Sequence, residues 1–207
     1  MKINALDYFS FLENHINLLS ENTIPLWHPL GFVSCVIYSV KGEYDIRVHF
    51  WPKGERRTKN PDWPIHTHSY ALSSVVLKGR VRDLQYKVVD GSDHSAYKVN
   101  YFDGGSEIVK TGTTMALTES VNTIHETGEQ YTVEQGIFHQ SCVDLDQKAV
   151  TLVALSEMTR NAPLVLGSDT DARYPYERLP FDRELFWTEV KEAIISMKEF
   201  SKQPVIK

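Results

Sequence analysis

The sequence is poor in the features that mark secreted and membrane-spanning proteins. Only two of its 207 residues are cysteine, Cys35 and Cys142, which excludes a disulfide scaffold and indicates reduced, buried thiols. No apolar run approaches the roughly 20 residues that a membrane-spanning helix needs. Asp7 lies where a signal peptide would have its apolar core. We therefore expect a cytoplasmic protein that has no membrane partner.

Positive charge is also scarce in this chain. Lysine and arginine together number 22 against 27 aspartate and glutamate residues, which gives a formal net charge of −5. Nucleic acids and anionic membrane surfaces attract basic proteins, so neither is an expected partner. Hydrophobic residues make up 42% of the chain, and its length allows one sizeable core. We expect a single domain over residues 1–207, either a monomer or a homodimer, that binds a small molecule.

The segments between residues 32 and 156 have the composition and period of short β-strands. Strands are predicted over residues 32–40, 44–51, 72–77, 80–89, 96–102, 107–117, 131–143 and 149–155, with a hairpin turn at 90–95. In the second of them Ile46, Val48 and Phe50 form one face, and Arg47, His49 and Trp51 form the other. Many short strands without helices between them indicate an all-β sandwich or barrel.

The two ends of the chain have a helical pattern instead. Apolar residues recur at spacings of three and four over about residues 4–19 and again over about 182–200, which predicts one amphipathic helix at each end. The segment 160–180, which includes Asp169, has neither period and is predicted to be irregular. The helices therefore flank the β-rich part of the chain.

Three histidines have the spacing of a metal site. His66 and His68 lie two residues apart in a predicted strand, and such side chains project from one face of a strand. His139 lies in another β-rich run and is suited to supply a third imidazole from a neighbouring strand. Three imidazoles on one side of an ion leave positions open for substrate. We therefore predict that His66, His68 and His139 bind a metal ion.

These residues also resemble a known family. His66-x-His68, Gly79 at the end of the next apolar run, and Gly136-x-x-His139 are similar to the two motifs of the cupin superfamily. Within it, the run from Tyr44 to Tyr86 is most similar to the three-histidine thiol (cysteine) dioxygenase type. The resemblance implies an all-β cupin jelly-roll (double-stranded β-helix) barrel of about residues 32–156, with both helices packed on its outside.

The chain departs from the cysteine dioxygenase type at the positions that bind substrate. The cysteine dioxygenase type has a cysteine at a position where many cupins have a metal-binding glutamate. In this chain that position falls at Leu72 or Ser73. Its tyrosine and histidine positions fall at Val153 and Leu155, and its carboxylate-binding arginine falls near Ser34. The metal-binding pattern is retained and the substrate-binding residues are not. We therefore expect a substrate other than cysteine.

A different set of residues is predicted to bind that substrate. If Trp51 points into the barrel, as its match in the family does, Arg47 and His49 share its side and line the cavity. Arg47 can then bind a carboxylate from a different strand than usual. The alternative is that this face is solvated or ion-paired. Ser73 and Leu155 complete the predicted substrate site.

Other titratable residues are candidates for supporting roles. Tyr131 and His49 are candidate proton carriers. His125 precedes a turn and is either a further metal ligand or a surface residue. Glu134 replaces the usual proline before Gly136, and it either supplies the missing carboxylate ligand or is solvated.

These residues together predict an enzyme. Three neutral imidazoles leave a divalent ion positively charged, which suits the binding of an anionic substrate together with O2 on iron. The predicted protein is a mononuclear non-haem Fe(II) oxygenase, or dioxygenase, acting on a small carboxylate-bearing or amino-acid-like molecule. Zinc, nickel and manganese remain possible, because imidazole binds all of them. A metal-dependent lyase or isomerase that needs no O2, and a non-catalytic cupin that binds a small ligand, remain alternatives.

Overall fold

The computed structural model describes residues 1–168 and 171–202. The helices among these residues are a 3-10 turn over Ala5–Tyr8, α1 (Phe9–Asn22) and α2 (Arg183–Lys202). The strands are β1 (Leu26–Trp27), β2 (Val33–Val40), β3 (Tyr44–Trp51), β4 (Ala71–Lys78), β5 (Arg80–Phe102), β6 (Gly105–Glu126), β7 (Gln130–Val133), β8 (Phe138–Cys142), β9 (Ala149–Ser156), β10 (Leu164–Gly167) and β11 (Arg173–Glu177). No helix among the described residues is long and apolar enough to cross a membrane.

The strands form two antiparallel sheets. The first has the order β1-β2-β3-β9-β4-β7, and the second has the order β10-β5-β6-β11, with β8 also paired to β5. After the β5–β6 hairpin in the second sheet the chain crosses to β7 in the first, to β8 in the second and to β9 in the first. Repeated crossing between two sheets is the strand order of a jelly roll. The predicted all-β jelly-roll barrel with flanking helices is therefore confirmed.

The predicted hairpin turn at residues 90–95 is wrong. β5 runs through this segment and pairs with β6 on both sides of it, and the chain turns at Asp103 and Gly104. Register shifts between Val89 and His94 and between Ser95 and Tyr97 take up the extra residues. Such bulges bend a strand without ending it. The glycine and aspartate of this segment therefore mark an irregularity within one long strand.

The predicted irregular segment at 160–180 is also partly wrong, because it contains β10 and β11. Both strands belong to the second sheet, so the sheets extend beyond the predicted limits of 32–156. Pro175 lies in β11, at the edge of that sheet, where a residue without an amide proton is tolerated. Each strand is only four or five residues long, too short to show a clear period. Asp169, which was expected in this segment, lies outside the described residues.

The strand β3 separates the main hydrophobic core from the interior of the barrel. Ile46, Val48 and Phe50 are at most 1% exposed and belong to a cluster that includes Phe186 of α2. The helices therefore cover the outer face of the first sheet, as predicted. The opposite face of β3 carries Arg47, His49 and Trp51, which line a cavity inside the barrel. The predicted alternation of β3 is confirmed.

Gly79 connects β4 to β5 and is a position where a side chain does not fit. Its φ of +81° lies in the left-handed region, which residues with a side chain rarely adopt. A Cβ at this position would lie 2.2 Å from the carbonyl oxygen of Lys148. Glycine therefore allows the chain to leave β4 in close contact with the segment that precedes β9.

Candidate metal centre

The three predicted ligands lie together inside the barrel. The ring centroids of His66 and His68 are 4.7 Å apart, those of His66 and His139 are 4.5 Å apart, and those of His68 and His139 are 4.7 Å apart. One nitrogen atom from each ring lies within 4.8 Å of the other two. Three atoms at such distances lie within about 3 Å of a common point, close to the metal–nitrogen bond length of about 2.0–2.1 Å. The arrangement allows one ion to contact all three rings.

The backbone brings the two histidine motifs together. His66 and His139 form an isolated antiparallel bridge, in which each N–H donates to the other's carbonyl oxygen, at 3.0 and 2.9 Å. The N–H of Gly136 donates to the carbonyl oxygen of His68 at 3.2 Å. His66 and His68 were predicted in a regular strand, which is wrong, because only His66 of this segment forms bridges. The extended backbone still directs both side chains to the same side.

Hydrogen bonding leaves several ring nitrogens available to a metal. Nδ1 of His66 donates to the carbonyl oxygen of Pro64 at 2.8 Å, so the lone pair of this ring is on Nε2. Nε2 of His66 lies 3.0 Å from Nε2 of His68. Nδ1 of His68 and both ring nitrogens of His139 are buried without a hydrogen-bond partner among the described residues. Unpaired buried nitrogens are costly, and a divalent ion would satisfy them.

The electrostatic environment keeps the rings of His66 and His68 neutral. Burial and, to a smaller extent, the nearby His139 together lower the pKa of His66 to about 3. Burial also lowers the pKa of His68 well below its usual value. A histidine must be deprotonated to bind a metal. The triad therefore fits a divalent transition metal, although its role as ligand set stays a prediction.

Comparisons with known proteins give no family for this chain. No protein-family model and no curated protein matches the sequence. Solved structures that match include an RmlC-like cupin from Shewanella frigidimarina, which is 14% identical with a TM-score of 0.39 over 68% of this chain and 87% of that one. A cupin-like protein from Thermotoga maritima is 10% identical, with a TM-score of 0.38 over 68% of this chain and 79% of that one.

A third matching structure is a hydroquinone 1,2-dioxygenase in complex with Cd2+ and 4-hydroxybenzonitrile. It is 14% identical, with a TM-score of 0.38 over 69% of this chain and 71% of that one. At such identities and TM-scores, these likenesses assign neither a family nor an activity to the chain. The predicted similarity to the cysteine dioxygenase type stays a prediction.

Two small chambers adjoin the histidine triad. The inner chamber, of about 40 Å³, is bounded by all three histidines together with Arg47, His49, Trp51, Leu72, Tyr131, Val153 and Leu155. The outer chamber, of about 60 Å³, is bounded by His66 and His68 together with Lys59, Tyr101 and Arg178. At roughly 15 Å³ for each water-sized group, the two hold about seven such groups. The site therefore suits a small molecule.

Most of the predicted substrate-binding residues line the inner chamber, and one does not. Arg47, His49, Trp51 and Leu155 all contribute to its wall. Ser73 lies on the opposite face of β4, where its Oγ accepts a hydrogen bond from the N–H of Ala5 at 3.2 Å. The prediction for Ser73 is therefore wrong, because alternation along β4 turns Ser73 outward when its neighbour Leu72 faces the chamber.

The two candidate proton carriers both face the inner chamber, but burial moves their pKa values away from neutrality. Burial and, to a smaller extent, the positive charge of Arg47 together lower the pKa of His49 to about 3. The pKa of Tyr131 is raised by burial, and the opposing effect of the Ser74 and Ser141 hydroxyls is smaller. His49 is thus a neutral ring and Tyr131 a neutral phenol at neutral pH, and both can hydrogen-bond a substrate.

Neither His125 nor Glu134 joins the cluster of three histidines. His125 stacks on Tyr131, with ring centroids 4.7 Å apart and an angle of 16° between the ring planes. The Glu134 side chain is 55% exposed and forms an ion pair with Lys2 at 2.6 Å. Of the two alternatives for Glu134, the solvated side chain is the one that the structure supports.

Asp83 is a site residue that sequence reasoning missed. It is 1% exposed, and its Oδ1 lies 3.9 Å from Nδ1 of His139 and has no hydrogen-bond partner among the described residues. Its Oδ2 accepts a hydrogen bond from Nε2 of Gln85 at 2.7 Å, which holds the carboxylate in place. A carboxylate behind a metal-binding imidazole orients the ring and makes it more basic. Asp83 alternates with Val81 on one face of a predicted strand, and this was the available signal.

Two aromatic side chains near the triad were also missed. Tyr70 stacks on His68 with ring centroids 4.5 Å apart, and burial raises its pKa to about 12. It follows His68 by two residues, so alternation could have placed it near the site. His28 borders both chambers and stacks on Phe32 with centroids 4.2 Å apart. His28 lies in a connector, where no sequence pattern indicates which side chains reach the barrel.

Proposed function

We propose that this protein is a cupin-type mononuclear non-haem Fe(II) oxygenase. It would use O2 to oxidise a small carboxylate-bearing or amino-acid-like molecule other than cysteine. The observation that carries the proposal is the convergence of His66, His68 and His139 on one chamber. Nδ1 of His68 and both ring nitrogens of His139 have no partner there, and no carboxylate joins the cluster among the described residues. Bound iron would supply the redox chemistry that uses O2.

Arg47 is the proposed carboxylate-binding residue of the inner chamber. One guanidinium nitrogen, Nη2, donates to Oδ2 of Asp45 at 2.7 Å, and this ion pair holds the side chain in place. Nε of Arg47 is buried without a hydrogen-bond partner among the described residues. A guanidinium has five N–H donors, so the pair with Asp45 leaves others for a substrate carboxylate.

The remaining wall of the inner chamber would position the substrate and exclude water. Leu72, Val153 and Leu155 line this chamber. The resemblance places the cysteine of the cysteine dioxygenase type at Leu72 or Ser73, and its tyrosine and histidine at Val153 and Leu155. Apolar walls favour a substrate whose middle part is apolar. His49 and Tyr131 would hydrogen-bond its polar groups. With a pKa of about 3, His49 is too weak a base to be an effective proton acceptor near neutral pH.

Replacement of Arg47 by alanine is expected to raise the apparent KM by ~10- to 100-fold, because a hydrogen bond to a charged group contributes about 1.5–3 kcal/mol. Iron content should not change, since Arg47 is not among the ligands. The measurement is steady-state O2 uptake, with iron content determined on the same samples. Arg82→Ala removes an exposed guanidinium that donates to Asn122 and serves as the matched control. An unaltered KM in the Arg47 variant would contradict the binding role.

Oxygen consumption tests the reaction type. A panel of small carboxylates and amino acids is screened with an oxygen electrode, on protein loaded with Fe(II) and on metal-free protein. We expect O2 uptake only when Fe(II) and a substrate are both present. Turnover of the same substrate under strict anaerobiosis would contradict the oxygenase proposal.

One observation favours a second candidate, a lyase or isomerase that needs no O2. Lys59 is 6% exposed, lines the outer chamber, and forms no ion pair within the described residues. Burial lowers its pKa to about 8, against the opposing effect of Asp62. A proton carrier works best when its pKa is near the working pH. Anaerobic product formation that is lost in Lys59→Met would support this candidate over the oxygenase.

A further inference from the structure

The charges around the two chambers are of one sign. Lys59 and Arg178 line the outer chamber and Arg47 lines the inner one. Neither chamber is lined by aspartate or glutamate among the described residues. The three cationic side chains would stand beside a divalent ion if the triad binds one. A cavity with this charge attracts anions, although the protein as a whole carries a net charge of −5.

Arg178 is the arginine of this group that has no ion pair among the described residues. Arg47 is paired with Asp45, whereas no carboxylate of the described chain forms an ion pair with Arg178. Nε of Arg178 is buried and has no hydrogen-bond partner among those residues. The pKa of Arg178 is lowered first by burial and then by the positive charge of Arg47. The residue is half-buried and its charge has no carboxylate partner among the described residues, so this guanidinium can bind an anion.

The backbone holds Arg178 in position on both sides. Its own N–H donates to the carbonyl oxygen of Gly104 at 3.0 Å, at the turn between β5 and β6. The carbonyl oxygen of the next residue, Leu179, accepts a hydrogen bond from the N–H of Trp27 at 2.9 Å. These bonds connect the residues around Arg178 to the second sheet and to β1. The side chain therefore extends from a fixed backbone to the outer chamber.

The two chambers adjoin each other at the triad. They share His28, Leu30, His66, His68 and Tyr70 as common lining residues. A single small molecule that reaches the triad can therefore extend from one chamber into the other. Arg47 lines the inner chamber and Arg178 lines the outer one, so an anionic group in each chamber would meet a cation.

We propose that the outer chamber is a second anion-binding subsite formed by Arg178 with Lys59, so that the substrate carries two anionic groups. This inference rests on the proposed function for the inner end of the substrate. The combined room for about seven water-sized groups limits the ligand to a short chain. A four-carbon dicarboxylate, with eight non-hydrogen atoms, has about this size. A bidentate contact between Arg178 and one of its carboxylates would give this subsite its selectivity.

The test compares succinate with butyrate, which has the same chain length and one carboxylate fewer. Zinc-loaded protein is used in titration calorimetry, because zinc has no redox chemistry and the ligand stays unchanged. We expect succinate to bind at least tenfold more tightly than butyrate to the wild-type protein. In Arg178→Gln this preference should fall to less than about twofold, with butyrate affinity unchanged.

Two further variants make the result specific. Arg173→Gln removes a nearby guanidinium with a 67% exposed side chain, and it should leave the preference for succinate intact. Arg178→Lys keeps the charge and should retain part of the preference, which guards against a folding defect in Arg178→Gln. Equal affinity for the two ligands in the wild-type protein would overturn the proposal, and so would an unchanged preference in folded Arg178→Gln.

The outcome does not depend on O2 chemistry. A protein that prefers succinate through Arg178 but never consumes O2 would contradict the oxygenase proposal and support the second subsite. A protein that consumes O2 with a monocarboxylate and binds succinate no better than butyrate would support the oxygenase proposal and contradict the second subsite. The two proposals can therefore fail separately.

Discussion

Replacement of His66 or His139 by alanine is expected to abolish metal binding while the barrel still folds. Either change removes one of the three proposed ligands and leaves a site that no longer surrounds the ion. The rings line a cavity, and the main hydrophobic core between the first sheet and the helices contains neither of them. Metal content after dialysis should fall below about one tenth of the wild-type value, with activity lost and the circular dichroism spectrum preserved.

A third histidine provides the control for this experiment. His125 stacks on Tyr131 outside the triad, so His125→Ala removes an imidazole of the same size without touching the proposed ligands. This variant should retain its metal. Full metal occupancy in both His66→Ala and His139→Ala would show that the ion binds elsewhere. Loss of metal in all three variants would point to a general effect on folding.

Replacement of Asp83 by asparagine is expected to weaken metal binding by ~10- to 100-fold, the usual effect of losing a group that supports a ligand. The change preserves the shape of the side chain and removes the negative charge that lies 3.9 Å from Nδ1 of His139. That charge offsets the positive charge of a bound ion. The dissociation constant of zinc, measured by competition with a chromophoric chelator, gives the effect directly.

The matched control for Asp83 is Asp144→Asn. Asp144 is exposed, so its replacement changes the net charge by the same amount away from the site. Zinc affinity should not change in this variant. Equal affinities in Asp83→Asn and the wild-type protein would show that Asp83 is a buried structural carboxylate with no effect on the metal.

Features that depend on short-range periodicity were predictable from the sequence. The alternation of β3 indicated which side chains share a face, and the structure confirms that Arg47, His49 and Trp51 face a cavity while Ile46 faces the core. The spacing of His66 and His68 likewise directs both rings to one side, even though their segment is not a regular strand. In each case the direction of a side chain follows from the alternation of side chains along an extended backbone.

Features that depend on distant segments were not predictable in the same way. Arg178 and His28 lie in connectors, and only the completed fold brings them to the chambers. The register of β4 decides between Leu72 and Ser73, and it is determined by pairing with β9 and β7. The bulges that carry β5 through residues 90–95 form because β6 offers a partner on both sides of them. No local pattern encodes such pairings.

The isolated bridges that His66 forms have a consequence for folding kinetics. Its bridges connect it to His139 of β8 and to Val165 of β10, both far away along the chain. The entropy of closing these long loops must be overcome before the three imidazoles meet, so the donor set forms only when the barrel is nearly complete. A metal ion that binds this set stabilises the native barrel more than the transition state. Its effect is then to slow unfolding, which gives the holoprotein kinetic stability without faster folding.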